Sequence, residues 1–230
     1  MKKIKLYDYQ QKMLEEIINV LTTKEITRYR KKKGYEEGNS VVVQMPTGTG
    51  KTYVMASVVK WFLDNYEKGE VWIVAHRREL VEQMQQTLDR FCLDYGEKEL
   101  KAKVRIRVLS IQWIGRHIGD LKKADCISGM IVVDEAHHAL ARSYKDLFDR
   151  NRDALKLGMT ATPCRMKRES FDMLFERLIS SPSTKDFIKR GYLAPYDYVV
   201  IEQFSQDQLT INSLKGRGSD GDYSIKEMGI

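Results

Sequence analysis

Residues 41–52 read VVVQMPTGTGKT: three valines, a glycine-rich loop and a lysine–threonine pair. The valines predict a short buried strand, and the residues from Lys51 onward predict a helix. Between the two, Gly48 and Gly50 let the backbone turn its N–H groups inward, ahead of the positive N-terminus of the helix. This order of strand, loop and helix predicts a phosphate-binding loop at Met45–Thr52.

The loop offers a set of candidate ligands for a nucleotide and its metal ion. Lys51 supplies charge for the terminal phosphates, and the hydroxyl of Thr52 suits Mg²⁺. The strict loop pattern begins with glycine where this chain has Met45, a departure that leaves the phosphate-binding half unchanged. A surface turn is the alternative, and kinases and transport ATPases share the pattern, so it predicts nucleotide binding without fixing the reaction. The candidates are Thr47, Gly48, Thr49, Gly50, Lys51 and Thr52.

A second apolar run, Met130–Val133, ends in the sequence DEAHH at 134–138. Successive side chains of a strand point in opposite directions, so the adjacent carboxylates can serve different tasks. Asp134 can hold Mg²⁺ directly or through water, and Glu135 can orient or deprotonate an attacking water. A later strand ends in TATP at 160–163, whose hydroxyl groups can bond to the acidic segment; a plain turn is the alternative.

Around these segments, strand-like and helix-like patterns alternate along the chain. The expected helices are Tyr9–Leu21, Lys51–Tyr66, Glu79–Leu93, Ile111–Ile118, Ser143–Asn151, Arg168–Ile179 and Ser183–Lys189. The expected strands are Val41–Val43, Val71–Ala75, Lys103–Leu109, Met130–Asp134, Ala154–Met159 and Tyr196–Ile201. Residues 24–40 read as a polar connection. The alternation predicts an α/β fold, a mostly parallel sheet with helices on both faces, whose ligands bind at the carboxyl ends of the strands.

Composition limits the class of protein. The 230 residues carry 39 lysines and arginines against 32 aspartates and glutamates, and a net charge of +7 favours a polyanionic partner without identifying one. No apolar run approaches about 20 residues and no signal peptide stands out, so we expect a cytoplasmic protein without a membrane partner. Cys92, Cys126 and Cys164 lie far apart and are expected to be reduced.

Together and in this order, the segments resemble the motifs of DEAD/DEAH-box superfamily two helicases, in the branch related to restriction-enzyme motor subunits and phage helicases. The resemblance spans roughly Leu6–Val200 and implies a RecA-like P-loop domain. The matching segments are MPTGTGKT at 45–52 (motif I), VWIVAHRRELVEQ at 71–83 (motif Ia), VDEAH at 133–137 (motif II), TAT at 160–162 (motif III), VLSIQ at 108–112 (a nucleic-acid-facing segment) and LYDYQ at 6–10 (the adenine-reading segment).

The resemblance also implies roles for single residues. Gln10 would read the adenine edge, although this chain has Tyr7 where the family usually has arginine, which leaves base specificity open. His137 would join Lys51, Asp134 and Glu135 in catalysis by linking the magnesium site to a second motor domain. His138 is assigned to packing. The residues implied to couple the acidic segment to motion are Thr160 and Thr162, and those implied to face the nucleic acid are Arg77, Arg78, Ser110 and Gln112.

The implied function is an ATP- and Mg²⁺-dependent helicase or translocase, with DNA favoured over RNA. After Pro163 no second motif set and no Q-x-x-R-x-x-R run follows, so we expect a second RecA-like domain to be missing from this chain. Residues 1–203 are then the first motor domain and 204–230 a linker. A restriction-system motor, a nucleotide-dependent binding module and, less favoured, a small-molecule kinase remain as alternatives.

Overall fold

The structure, a computed structural model, forms a layered α/β domain. It describes residues 5–23, 39–76, 86, 105–123, 128–139, 142–162 and 174–195, without the side chains of 118–123 and 138. The strands are β1 (Ser40–Gln44), β2 (Glu70–Ala75), β3 (Ile106–Ser110), β4 (Ser128–Val133), β5 (Leu155–Thr160) and β6 (Arg177–Ser180). The helices are α1 (Asp8–Thr22), α2 (Lys51–Asn65), α3 (Ile111–Lys123), α4 (Arg142–Arg150) and α5 (Thr184–Lys189), with a 3₁₀ turn at Ala136–His138.

The strands form one sheet in the order β3-β2-β4-β5-β1-β6. Every pairing among them is parallel. Strand β5 therefore lies between β1, which precedes the glycine-rich loop, and β4, which precedes the acidic pair. Because all carboxyl ends of parallel strands meet at one edge, the three predicted motifs reach the same edge.

Alternate residues of the strands pack into two separate apolar clusters, one on each face of the sheet. Val41 and Val43 join the side chains of α1, α2 and α5, whereas Val42 joins those of α3 and α4. This alternation is the period of two that a pleated strand imposes, and it places helices on both faces. The predicted fold class is confirmed.

One polar side chain anchors the end of α1 beside the start of the sheet. The Nδ2 of Asn39 donates to the carbonyl oxygens of Val20, Leu21 and Thr23 at 3.1, 2.9 and 2.8 Å. Helix ends leave carbonyl groups without intrahelical partners, so this amide takes the place of the next turn.

One predicted element is wrong. A helix was expected over Arg168–Ile179, but its last residues belong to the edge strand β6, Arg177–Ser180, paired in parallel with Val41–Gln44. Residues 168–173 lie outside the described residues. Several other predictions lie outside the described residues: the expected helix Glu79–Leu93 apart from residue 86, the expected strand Tyr196–Ile201, the three cysteines and the start of the expected strand at Lys103. The remaining expected elements are confirmed, with ends that shift by a few residues.

The chain divides into two units, Met1–Ala194 and Pro195–Ile230, and each described helix and strand lies in the first. The boundary expected between 203 and 204 stays a prediction. Across the described residues, no helix has the length and apolar character needed to cross a membrane.

Candidate functional site

The glycine-rich loop leaves β1 and turns directly into α2. The N–H of Met45 donates to the carbonyl of Thr160 at 2.9 Å, which ties the start of the loop to the end of β5. Gly48 and Gly50 adopt φ angles of 81° and 79°, in the left-handed region that costs other residues about 1–2 kcal/mol. Gly50 is also the N-cap of α2, so the loop brings its backbone to the N-terminus of that helix, as predicted.

The loop is braced from α1 by two side chains. The hydroxyl of Tyr9 and the Nε2 of Gln10 both donate to the carbonyl of Thr49, at 2.8 and 3.2 Å. A Cβ at Gly50 would stand 2.4 Å from the Nε2 of Gln10, so any other residue here would have to displace that amide and also adopt a strained φ. Tyr9 was missed by sequence reasoning; its signal is its position beside Gln10 in the sequence LYDYQ.

Gln10 therefore has structural partners in addition to its predicted adenine-reading role. Its Oε1 accepts the backbone N–H of Tyr7 at 2.9 Å, and its side chain is only 4% exposed. Tyr7 itself is exposed, stacked near-parallel to Tyr9 with ring centroids 5.8 Å apart, and edge-on to Tyr192 at 5.2 Å. Tyr7, Tyr9 and Tyr192 thus form an aromatic cluster beside the loop, on the side that faces α1.

Lys51 and Thr52 open α2 and are half-buried. The Nζ of Lys51 lies 3.4 Å from the carbonyl of Met45, a long contact across the loop. Thr47 and Gly48 are exposed, whereas Thr49 is buried and its hydroxyl donates to the carbonyl of Pro46 at 2.7 Å.

The acidic pair follows β4 at the same edge. Asp134 is half-buried, and its N–H donates to the carbonyl of Val74 at 3.2 Å. Burial raises the pKa of the Asp134 carboxyl, and the neighbouring charge of Glu135 raises it further, while Lys51 and His137 oppose the shift. Lys51 is thus close enough to Asp134 for their charges to interact, which connects the loop to the acidic pair.

A hydrogen-bonded chain joins the acidic segment to the end of β5. The Nδ1 of His137 lies 3.3 Å from the Oε2 of Glu135 and 3.2 Å from the hydroxyl of Thr160. The Thr160 hydroxyl donates to the carbonyl of Thr162 at 2.8 Å, and the Thr162 N–H donates back at 3.2 Å. Because the carbonyl of Thr160 also accepts the N–H of Met45, this residue touches both halves of the site.

The candidates for nucleic-acid contact lie farther along the edge, after β3. The Oγ of Ser110 accepts the N–H of Trp113 at 3.2 Å, and the Nε2 of Gln112 donates to the carbonyl of His76 at 2.9 Å. Arg77 and Arg78 follow His76 in the sequence but lie outside the described residues, as does the side chain of His138.

Sequence reasoning also missed Tyr144 on α4. Its ring is fully buried, and its hydroxyl has no hydrogen-bond partner among the described residues. Burial raises its pKa, and the negative charge of Asp134 adds to the shift. The only sequence signal is its helical spacing with Leu147 and Phe148, which also pack inward and would have suggested simple packing.

The donor groups at this edge suit a magnesium ion that is shared with a nucleotide. The described residues hold no group of three or more His, Cys, Asp or Glu side chains placed for a metal. A magnesium ion in a phosphate site takes only one or two protein oxygens, the remainder coming from phosphate and water. Thr52 and the half-buried carboxyl of Asp134, whose charge a cation would offset, fit that need.

Comparison with known proteins places the chain among restriction and helicase ATPases. Residues 3–165 match the family model described as "Type III restriction enzyme, res subunit". The chain is 30% identical over 187 residues to a 51.5 kDa protein of a Lactococcus phage (isolate 7-9), covering 80% of this chain and 36% of that protein. It is 26% identical over 175 residues to the EcoAI type I restriction endonuclease subunit of Escherichia coli, covering 71% of this chain and 22% of that subunit.

Solved structures show the same fold. The UvsW helicase of bacteriophage T4 superposes with a TM-score of 0.56 at 17% identity, covering 78% of this chain and 61% of that structure. The chain spans only about a third or less of the length of the two relatives named above. With its matching family model, parallel sheet and motif order, the chain belongs to the type III restriction enzyme res subunit family, a helicase and restriction-enzyme type of ATPase domain within superfamily two.

Proposed function

We propose that this chain is the first motor domain of an ATP-dependent helicase or translocase, which hydrolyses ATP to ADP and phosphate when paired with a second domain. The observation that carries the proposal is the position of Thr160, whose carbonyl binds the glycine-rich loop and whose hydroxyl contacts His137 of the acidic segment. Thr160, the last residue of β5, thus links the phosphate loop to the acidic segment. Such a link is suited to coupling nucleotide chemistry to movement.

Each residue of the site has a task in this proposal. The N–H groups of the loop between Thr47 and Gly50 bind phosphate oxygens, and Lys51 places its charge against the terminal phosphates. Thr52 and Asp134 hold Mg²⁺, which neutralises the charge that develops on the transferred phosphoryl group. Glu135 orients the attacking water and accepts its proton.

The base is bound on the α1 side of the loop. Gln10 presents its amide there, and the exposed ring of Tyr7 offers a stacking surface beside it. Two of the Gln10 hydrogen-bonding positions are already used by Tyr7 and Thr49, so the amide has one donor and one acceptor position left for adenine.

A nucleic-acid strand lies along the sheet edge beyond the nucleotide, at Ser110 and Gln112. The resemblance assigns Arg77 and Arg78, which follow His76 in the sequence, to the same strand. The net charge of +7 favours a polyanion, and relatives carry the names helicase and restriction endonuclease subunit. DNA is favoured over RNA. Phosphate contacts release counterions, so we expect single-strand affinity to fall as salt rises.

The family match favours one alternative, a restriction-system motor that moves along duplex DNA without separating its strands. A strand-separation assay and a triplex-displacement assay on this chain joined to a second motor domain distinguish the two. Displacement of the triplex without strand separation would support the motor, and strand separation would support the helicase.

The test of the nucleotide site is titration calorimetry with ATP and Mg²⁺ on the wild type and Lys51→Ala. Hydrogen bonds to charged groups contribute about 1.5–3 kcal/mol, so we expect affinity to fall by about tenfold to a hundredfold. Lys60→Ala makes the same change farther along α2, at the residue paired with Asp64, and serves as the control. An unchanged affinity in Lys51→Ala would overturn the assignment of the loop.

A further inference from the structure

The first turns of α3 carry a stacked aromatic pair at the carboxyl edge of the sheet. The rings of Trp113 and His117 lie 4.4 Å apart between centroids with an angle of 16° between their planes. Trp113 is 37% exposed, although tryptophan is among the most buried side chains on average. The pair directly follows Ser110 and Gln112, the candidates for nucleic-acid contact.

The exposed indole is not part of the packing of α3 on the sheet. That packing is made by Ile111 and Ile114, which are 4% and 1% exposed and belong to the cluster shared with β2 and β4. Trp113 lies on the opposite, solvent side of the helix with Gln112 and Arg116. A single exposed apolar residue is ordinary on a protein surface, so its ordered setting is the informative part.

Hydrogen bonds position the stacked pair and the start of α3. The Nδ1 of His117 lies 2.9 Å from the carbonyl of Trp113, which fixes the imidazole against one face of the indole. The backbone N–H of Trp113 donates to the Oγ of Ser110, and the side chain of Gln112 donates to the carbonyl of His76, which directly follows β2. An aromatic surface held in this way loses little conformational entropy when another flat ring stacks on it.

Positive charge lies on the same turn. The Nε of Arg116 donates to the carbonyl of Gln112 at 3.3 Å. Arg116 is exposed and stands three residues after Trp113, a spacing that makes the two residues neighbours on the helix surface. An exposed aromatic ring and a cation on the same helix surface suit a single strand, in which bases and phosphates alternate.

We propose that Trp113, backed by His117, is a stacking platform for one nucleobase of a bound single strand, with Arg116 beside the adjoining phosphate. The inference rests on the proposed nucleic-acid function and adds to it a base contact that does not depend on sequence. Stacking on an aromatic side chain accepts every base, because every base has a flat π-face.

The experiment compares two oligonucleotides of equal length and charge, oligo-dT and the same backbone with abasic positions, by fluorescence anisotropy. We expect the wild type to bind oligo-dT at least about fivefold more tightly, the lower end of what base stacking on one aromatic ring contributes. Trp113→Ala should reduce this preference nearly to one while leaving affinity for the abasic strand unchanged. Trp113→Phe should keep part of the preference.

The matched control is Tyr66→Ala. Tyr66 is 38% exposed and is also stacked, on Phe62 with centroids 4.7 Å apart, but it follows the far end of α2 and lies away from the loop. We expect the base preference to be retained in this variant, and thermal melts of each protein confirm that it is folded.

The outcomes separate the two proposals. If the wild type binds both strands equally and with salt dependence, the platform is wrong and the nucleic-acid function stands. If Trp113→Ala weakens binding to both strands alike while Trp113→Phe does not, the ring supports the fold of α3 and the platform is again wrong. If the wild type binds neither strand, the single-strand function fails and the platform fails with it.

Discussion

Two lysines at opposite edges of the sheet differ in how their ammonium groups are used. At the carboxyl edge, Lys51 is half-buried and makes one long contact of 3.4 Å, to the carbonyl of Met45. Near the amino edge, Lys156 is 1% exposed, and its Nζ donates to the carbonyls of Arg152 and Ala154 at 2.9 and 2.8 Å. The first ammonium group remains available to a ligand, whereas the second is used within the fold.

The same contrast extends to the other polar groups of the two edges. At the amino edge, the amide of Asn39 donates to three carbonyls at the end of α1. At the carboxyl edge, Asp134 is partly desolvated with a second carboxylate beside it, which raises its pKa and is unfavourable for stability. Polar groups whose hydrogen bonds are used within the fold and polar groups that remain available to a ligand are therefore separated by the length of a strand.

The largest expected effect is on the rate of ATP hydrolysis at the carboxyl edge of the sheet. In the resembled family a second domain supplies arginines to the open side of the nucleotide, and such arginines contribute on the order of a thousandfold or more to the rate. We expect the 230-residue chain alone to release phosphate about a thousandfold more slowly than the same chain joined to a second motor domain, with or without single-stranded DNA. Rapid, DNA-stimulated turnover by the chain alone would show that its site needs no partner.

Next in size is the structural role of the amino edge. Lys156→Ala removes a buried stem and the donor to two carbonyls, and we expect the free energy of unfolding to fall by about 2–4 kcal/mol with ATP affinity unchanged. Lys51→Ala should shift it by no more than about 0.5 kcal/mol. Urea unfolding measures both. Equal losses of stability in the two variants would remove the contrast between the edges.

The pH dependence of stability separates the charge of Lys156 from the packing and hydrogen bonds of its side chain. Burial lowers the pKa of Lys156 from 10.5 to about 8, against the opposing charges of Asp153, Glu176 and Asp149. The folded protein then binds fewer protons than the unfolded chain between about pH 8 and 10.5, so this group makes stability rise with pH in that window.

We expect the wild type to show an extra slope of about 1 kcal/mol per pH unit there, relative to Lys156→Met, which keeps the stem but cannot titrate. Below pH 8 the two curves should run parallel. Parallel curves across the whole range would mean that the ammonium group is as well solvated in the folded protein as in the unfolded chain.

The smallest expected effect is a gain of stability, at the carboxyl edge of the sheet. Asp134→Asn removes a desolvated charge beside Glu135, and we expect the free energy of unfolding to rise by about 0.5 kcal/mol or slightly more. The gain in ATP affinity on adding Mg²⁺ should shrink in the same variant. A loss of stability in this variant would place Asp134 with the structural groups of the amino edge.

Local patterns were enough to predict the parts of the molecule that depend on neighbouring residues. The valines of β1 and the glycines at 48 and 50 determine a strand and a turn within a few positions, and both appear as predicted. The acidic pair was found for the same reason, because it directly follows a continuous apolar run.

The wrong and missing predictions involve contacts between distant parts of the chain. Arg177–Ser180 is a short edge strand in which Leu178 is 52% exposed, and it exists because Val41–Gln44 provides a partner much earlier in the sequence. The hydrogen bonds of Gln10 to the loop and the burial of Lys156 depend likewise on residues that only folding brings near. The assigned roles of the site residues stay predictions.

The backbone of Glu135 sets a limit on how this protein can be engineered. Its φ of 49° lies in the left-handed region, the one such non-glycine among the residues that the structure describes. Glycine or asparagine would adopt this conformation at lower cost, so a library sorted only for expression or heat resistance would favour them at position 135. Such sorting would enrich robust proteins that have lost the carboxylate, and a functional screen has to accompany it.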